Sequence, residues 1–242
     1  MGRFRLSPRL VGWVLWGALC SLGAGGSASA LEISLDTSRL PSQQGWRFVS
    51  SAIPEADVFS VGVEEIVQDS LGVGVGFAAY RRAADINALD PLELQLDASL
   101  TGSRYPAGFG PGFYFAVFTG AERYSLVIEP GRVATLEGTN LGNLDTSVSH
   151  EYELVAVPGV SFSLFVDGEL FAVGSGSPNG VAPQLEFGDG SFAQNSEGGI
   201  AHYRFYQGAE APLVEVPAPA AGVLLLVGLG GLCGVGRRNP SA

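Results

Sequence analysis

Glu151 and Glu153 stand two residues apart in the run His150-Glu151-Tyr152-Glu153-Leu154, so in a strand they share one face. Two carboxyls on one face are the parts that glycoside hydrolysis uses, with a separation of about 5–5.5 Å in its retaining form. Val155 occupies the place where a third carboxylate would continue the alternation, and a solvated strand face accounts for the pair without any chemistry. No residue is assigned a catalytic role. The histidines, His150 and His202, are too few for a histidine-rich zinc site, and no Gly-x-Ser-x-Gly elbow accompanies them. Both read as strand residues with satisfied hydrogen bonds. Gly74-Val75-Gly76-Phe77-Ala78-Ala79 matches a GxGxxA pattern formally. Its glycines alternate with other residues in a strand-like run and no amphipathic helix comes after it, so close sheet packing accounts for them better than a dinucleotide loop.

Two binding chemistries have candidate residues. Calcium takes hard oxygen ligands, and Asp167, Asp189 and Asn195 lie in expected turns, although no contiguous calcium-loop spacing joins them and turn geometry alone explains the aspartates. A sugar has an apolar face and a rim of hydroxyls, which calls for an aromatic platform beside planar polar groups. The loop Thr101–Gly112 offers Tyr105 and Phe109 as platform and Arg104 as polar partner, with a plain surface loop as the competing account.

The elements that must position these residues are strands. Short runs of β-branched, aromatic and Leu residues alternate with Gly, Pro, Asn and Asp clusters from Leu31 to Pro212, without a long 3.6-residue period. That pattern predicts an antiparallel all-β domain of two packed sheets. One expected strand covers Leu71–Tyr80, another Leu92–Leu100 and a third Glu151–Val157. The sharpest local signal is Val160–Val166, then Asp167-Gly168, then Glu169–Val173. An Asp-Gly pair between alternating runs demands a type I′ hairpin, because both turn residues need positive φ. Phe162, Leu164 and Val166 then face one way, and Ser161, Ser163 and Phe165 the other.

The termini read differently. Arg3, Arg5 and Arg9 precede an apolar run ending in Ala28-Ser29-Ala30, the order of a secretory signal cleaved after Ala30. After Pro219 an uncharged run from Ala220 to Gly236 precedes Arg237-Arg238. At ~1.5 Å per residue such a helix spans about 25 Å, the lower limit for a bilayer core of ~30 Å, and the arginines belong in the cytoplasm. The expected organisation is a signal helix at 1–30, a sandwich at 31–212, a linker at 213–219, a transmembrane helix at 220–236 and a basic tail at 237–242. Cys20 and Cys233 fall in the two terminal segments, so the body can have neither disulfides nor a cysteine metal site. All 13 basic residues are arginine, five of them in the terminal segments, which leaves eight against 24 acidic residues and a net charge of −16 on the exported part. Such a surface repels phosphates, so nucleic acid is excluded as a partner.

The tail resembles the PEP-CTERM sorting signal, in which a Pro-containing motif, here Val216-Pro217-Ala218-Pro219 with Ala where the name-giving form has Glu, precedes a Gly- and Leu-rich helix and terminal arginines. That resemblance implies an exosortase-type processing enzyme as partner, after the export machinery and signal peptidase. It also implies transient anchoring in the inner membrane, then the surface of a Gram-negative cell that makes exopolysaccharide. A permanent anchor without processing is the alternative. The body, through His150-Glu151-Tyr152-Glu153-Leu154, Leu164-Phe165-Val166-Asp167-Gly168 and Leu185-Glu186-Phe187-Gly188-Asp189, resembles concanavalin-like (laminin-G-like) jelly-roll modules. This implies a jelly-roll β-sandwich with a carbohydrate-binding or adhesive tendency, and its shared residues are chiefly architectural. The expected function is a surface or matrix protein that binds glycan or another envelope component without catalysis; a purely structural module and a glycan-cleaving enzyme are the alternatives.

Overall fold

The computed structural model describes residues 30–73, 76–104, 106–108, 112–190 and 195–208. All but Ala30 of the expected signal at 1–30, the expected linker with Val216–Pro219, the uncharged run 220–236 and Arg237-Arg238 therefore lie outside the described residues. Among the described residues no helix is long and apolar enough to cross a membrane.

The strands in chain order begin with β1 (Leu31–Ser34), β2 (Arg47–Ser50), β3 (Phe59–Val61), β4 (Ile66–Asp69), β5 (Ala78–Ala83), β6 (Leu92–Ser103), β7 (Tyr114–Phe118) and β8 (Glu122–Glu129). They continue with β9 (Arg132–Ala134), β10 (Asn140–Asn143), β11 (His150–Val157), β12 (Ser161–Val166), β13 (Glu169–Gly174), β14 (Ser177–Pro178), β15 (Gln184–Asp189) and β16 (Ser196–Gln207). Two antiparallel eight-stranded sheets result. One runs β13-β12-β11-β6-β16-β4-β3, with β1 also on β16; the other runs β10-β9-β8-β7-β15-β5-β2, with β14 on β8. The all-β expectation holds, and the arrangement is consistent with a jelly-roll sandwich.

Alternation places the core between the sheets. Leu92, Leu94 and Leu96 of β6, with Tyr152, Leu154 and Ala156 of β11, are buried against Phe115, Leu126, Leu185 and Phe187 of the other sheet. Trp46 ties the sheets together, its ring 5.0 Å from Phe187 and 5.3 Å from Tyr203, edge-on to both. The Asp-Gly hairpin is present as expected: Val166 pairs with Glu169, and Asp167 and Gly168 have φ of 52° and 78°.

Two expectations are corrected. The strand expected over Leu71–Tyr80 begins only at Ala78, because Leu71–Val73 form a turn held by Leu71 N–H donating to Asp69 and by the Asn195 amide donating to the carbonyls of Ser70 and Val73. The element after Gly76 is strand β5 and not a helix, so Gly76 opens no dinucleotide loop; its missing Cβ leaves room for the Ser51 hydroxyl. Asp189, expected in a turn, ends β15 and is buried.

Candidate functional site

On β6 the residues between the core leucines point away from the core, so Glu93, Gln95 and Asp97 share the outer face. Strand register sets their neighbours. Gln95 lies opposite Glu153 on β11 and Arg204 on β16, while Glu93 lies opposite Val155 and Tyr206. Asp97 lies between Glu151 and His202. Two cross-strand rows, Glu153–Gln95–Arg204 and Val155–Glu93–Tyr206, thus bring carboxyl, amide, guanidinium and phenol groups together over three strands. The Arg204 guanidinium stands 5.7 Å from the Tyr206 ring centroid, and its Nε–H donates to Glu32 at 3.0 Å.

The electrostatics of this strip arise from its crowding. Glu93 is only 6% exposed although it faces outward, and burial raises its pKa above the usual carboxylate range, against the pull of Arg204 and a hydrogen bond donated by the Gln95 amide. Glu153 is raised as well, by burial first and then by the like charges of Glu93 and Glu151. Both carboxyls are therefore easier to protonate than an exposed glutamate, and a protonated carboxyl donates a hydrogen bond as well as accepting. The pair Glu151 and Glu153 does share a face, as its spacing predicts. Glu93 and Asp97 were not legible as members of that face, and the one available signal was the alternation Glu-Leu-Gln-Leu-Asp at 93–97.

The calcium candidates divide between two groups. The Asp189 carboxylate accepts from the Ser70 hydroxyl at 2.5 Å, and the Asn195 amide donates to the Ser70 carbonyl, so these two meet in one buried cluster. Gln68 belongs to the same cluster, its amide donating to the Ser196 hydroxyl at 2.9 Å, and its Oε1 is buried with no hydrogen-bond partner among the described residues. Asp189, Asn195 and Gln68 supply the hard oxygens that a calcium ion prefers. Asp167 sits elsewhere, accepting from His150 at 2.7 Å and from the Glu151 N–H at 3.1 Å. Among the described residues no three His, Cys, Asp or Glu side chains cluster as a metal site would.

Of the loop candidates, Arg104 is exposed and its backbone N–H donates to the Asn195 carbonyl at 2.9 Å. Tyr105 and Phe109 lie outside the described residues. The Gly108 N–H donates to Glu129 at 2.9 Å, which brings this loop onto the outer face of the second sheet, where Glu129 is paired with Arg132.

No family model matches the chain, and no curated protein matches it. Solved structures do show likeness. A protein of unknown function from Shewanella oneidensis superposes with a TM-score of 0.49 at 12% identity, over 74% of this chain and 87% of its own. Peanut lectin gives 0.49 at 10% identity, over 74% and 98%. A carbohydrate esterase of the Shiga toxin-encoding bacteriophage phi24B gives 0.49 at 11%, over 73% and 98%. Likeness at this level says nothing of what this chain binds. The strip on β11, β6 and β16 has to be judged by its own chemistry: it offers hydrogen-bond donors and acceptors in a plane, one aromatic ring, and two carboxyls of raised proton affinity.

Proposed function

We propose that this is an exported protein of the cell surface or extracellular matrix whose concanavalin-like sandwich binds glycan, exopolysaccharide or another envelope component without cutting it. The observation that carries the reading is the pair of cross-strand rows containing Glu153, Gln95 and Arg204, and Glu93 and Tyr206. Planar polar groups beside a ring are what a polyhydroxylated chain laid across a sheet would meet. Export behind the signal at 1–30, exosortase-type processing near Val216–Pro219 and a calcium ion held by Asp189 and Asn195 complete the proposal, together with Arg104, Tyr105 and Phe109 as a second contact. A cleaving enzyme is the second reading, favoured by the raised carboxyls Glu93 and Glu153.

The test is a glycan and exopolysaccharide array probed with the purified full-length protein, with calcium present or chelated. Binding that falls about tenfold in Arg204→Ala, a change of roughly 1.4 kcal/mol, supports the strip, and loss in Tyr105→Ala assigns the loop instead. Failure to bind any glycan sinks the reading. Reducing ends released from a bound polysaccharide establish the enzyme.

A further inference from the structure

Between β14 and β15 the chain runs Asn179-Gly180-Val181-Ala182-Pro183. Asn179 is half-buried, while Gly180, Val181 and Ala182 are exposed. Of the asparagines in the chain, Asn179 alone precedes a glycine. Asn87, Asn140, Asn143 and Asn195 are followed by residues that carry a Cβ, and Asn239 by proline, which has no N–H. The side-chain amide carbon of an asparagine is one ring closure away from the N–H of the next residue, so nucleophile and electrophile are already joined. Whether they react depends on what the fold does with the few atoms involved.

Each of those atoms is placed for the closure here. The Asn179 N–H donates to the Ala121 carbonyl at 2.8 Å, which pins the residue beside the turn that leads into β8. Its side-chain Oδ1 accepts from the Val181 N–H at 2.6 Å. This hydrogen bond polarises the amide carbon and is aimed at the oxygen on which negative charge develops when a nucleophile adds. The Gly180 N–H and the Asn179 Nδ2 have no hydrogen-bond partner among the described residues, so the first is free to lose its proton to solvent base and the second to depart. Nothing lies within 4 Å of where a Gly180 Cβ would be, which leaves that side of the nucleophile open to water. Asp167-Gly168 makes the contrast. The Asp167 side chain is held as a carboxylate by His150 and the Glu151 N–H, and a carboxylate is a poor electrophile.

We propose that Asn179 is a self-modification site, where the folded protein converts asparagine to aspartate and isoaspartate without an enzyme, assisted by the Val181 N–H. The Gly180 nitrogen, its proton taken by hydroxide, bonds to Cγ of Asn179. The tetrahedral intermediate expels Nδ2, which takes a proton from water and leaves as ammonia, and a five-membered succinimide remains. Water then opens the ring. Breaking the Cγ–N bond gives aspartate, and breaking the bond from the backbone carbonyl carbon to nitrogen gives isoaspartate, whose main chain runs through Cβ and Cγ. No electrons are transferred, and water and hydroxide are the only co-reactants. Either product adds a carboxylate close to Glu122, the strand partner of Pro178, and isoaspartate also lengthens the connection from β14 to β15 by one carbon.

Peptide mapping by mass spectrometry of the purified full-length protein, incubated for days at neutral and at mildly alkaline pH, tests the proposal. Asn179 should convert at least tenfold faster than any other asparagine, releasing ammonia in step, and faster at the higher pH. Gly180→Ala should slow the conversion at least tenfold. Val181→Pro, which removes the assisting N–H and leaves Gly180 in place, should slow it several-fold. Urea-unfolded protein at the same pH should convert no faster than the folded protein. An Asn179 that stays intact in the folded protein but converts in urea overturns the proposal, because the fold then protects the site. Equal rates in the parent and Val181→Pro overturn the part given to the Val181 N–H.

Discussion

Gly168 occupies the second position of a two-residue turn with φ of 78°, and no atom lies within 4 Å of where its Cβ would be. A side chain there meets no clash, so its cost is that of the left-handed backbone alone. Gly168→Val should therefore lower stability by roughly 1–2 kcal/mol, seen as a lower urea midpoint with an unchanged slope; an unchanged midpoint would show that the turn tolerates any residue. This feature was legible because turn chemistry is local: Asp-Gly between alternating runs has few other solutions. Glu93 is the contrary case. Nothing within five residues of it says that an outward-facing glutamate will be only 6% exposed, because the groups that cover it arrive from β11 and β16.

Between residues and the whole lies the tie that His150 makes at the start of β11. Its Nδ1 meets the Asp167 carboxylate at 2.7 Å and its Nε2 the Asp145 carbonyl at 2.9 Å. Both partners only accept, so both ring nitrogens are satisfied only in the imidazolium. Burial pulls the His150 pKa down, but the hydrogen bonds to Asp167 and Asp145 prevail and raise it above 6.5. Asp167 is correspondingly lowered below 3.8, chiefly by His150. The histidine's share of stability is fully present below its ordinary pKa and is lost as pH rises through the raised folded value. The aspartate's share is present above its ordinary pKa and is lost as pH falls through the lowered folded value. The tie should thus hold best between about pH 4 and about pH 6.5. The urea midpoint should decline from about pH 6 to about pH 8 in the parent and decline less in His150→Gln; parallel profiles would remove His150 as the cause. At this scale the hairpin of β12 and β13 falls within one residue of its expected bounds, whereas β5 started later than its valines and glycines suggested. The carbonyls of Ser70 and Val73, which a longer strand would have given to a neighbour, are taken by the Asn195 side chain, and no local pattern announces that.

Across the whole molecule charge is the dominant long-range force. Among the described residues Arg39, Arg81, Arg123, Arg132 and Arg204 are each paired with a carboxylate, and eight arginines between Leu31 and Pro219 cannot neutralise 24 carboxylates. Like charges repel over a screening length that shrinks to ~8 Å at physiological salt, and the melting temperature should rise between low salt and about 0.15 M sodium chloride. A fall would mean that the ion pairs outweigh the repulsion. This acidity, the absence of cysteine between Leu31 and Pro212 and the all-β class come from the sequence by itself, because each is a property of composition or of neighbours along the chain. Which polar groups meet was decided by tertiary structure. Glu153, Gln95 and Arg204 are far apart in sequence and become one row only through the register of β11, β6 and β16. The physical reason is that long-range strand pairing and sheet packing are set by the summed burial of the core, and no single stretch of residues encodes them.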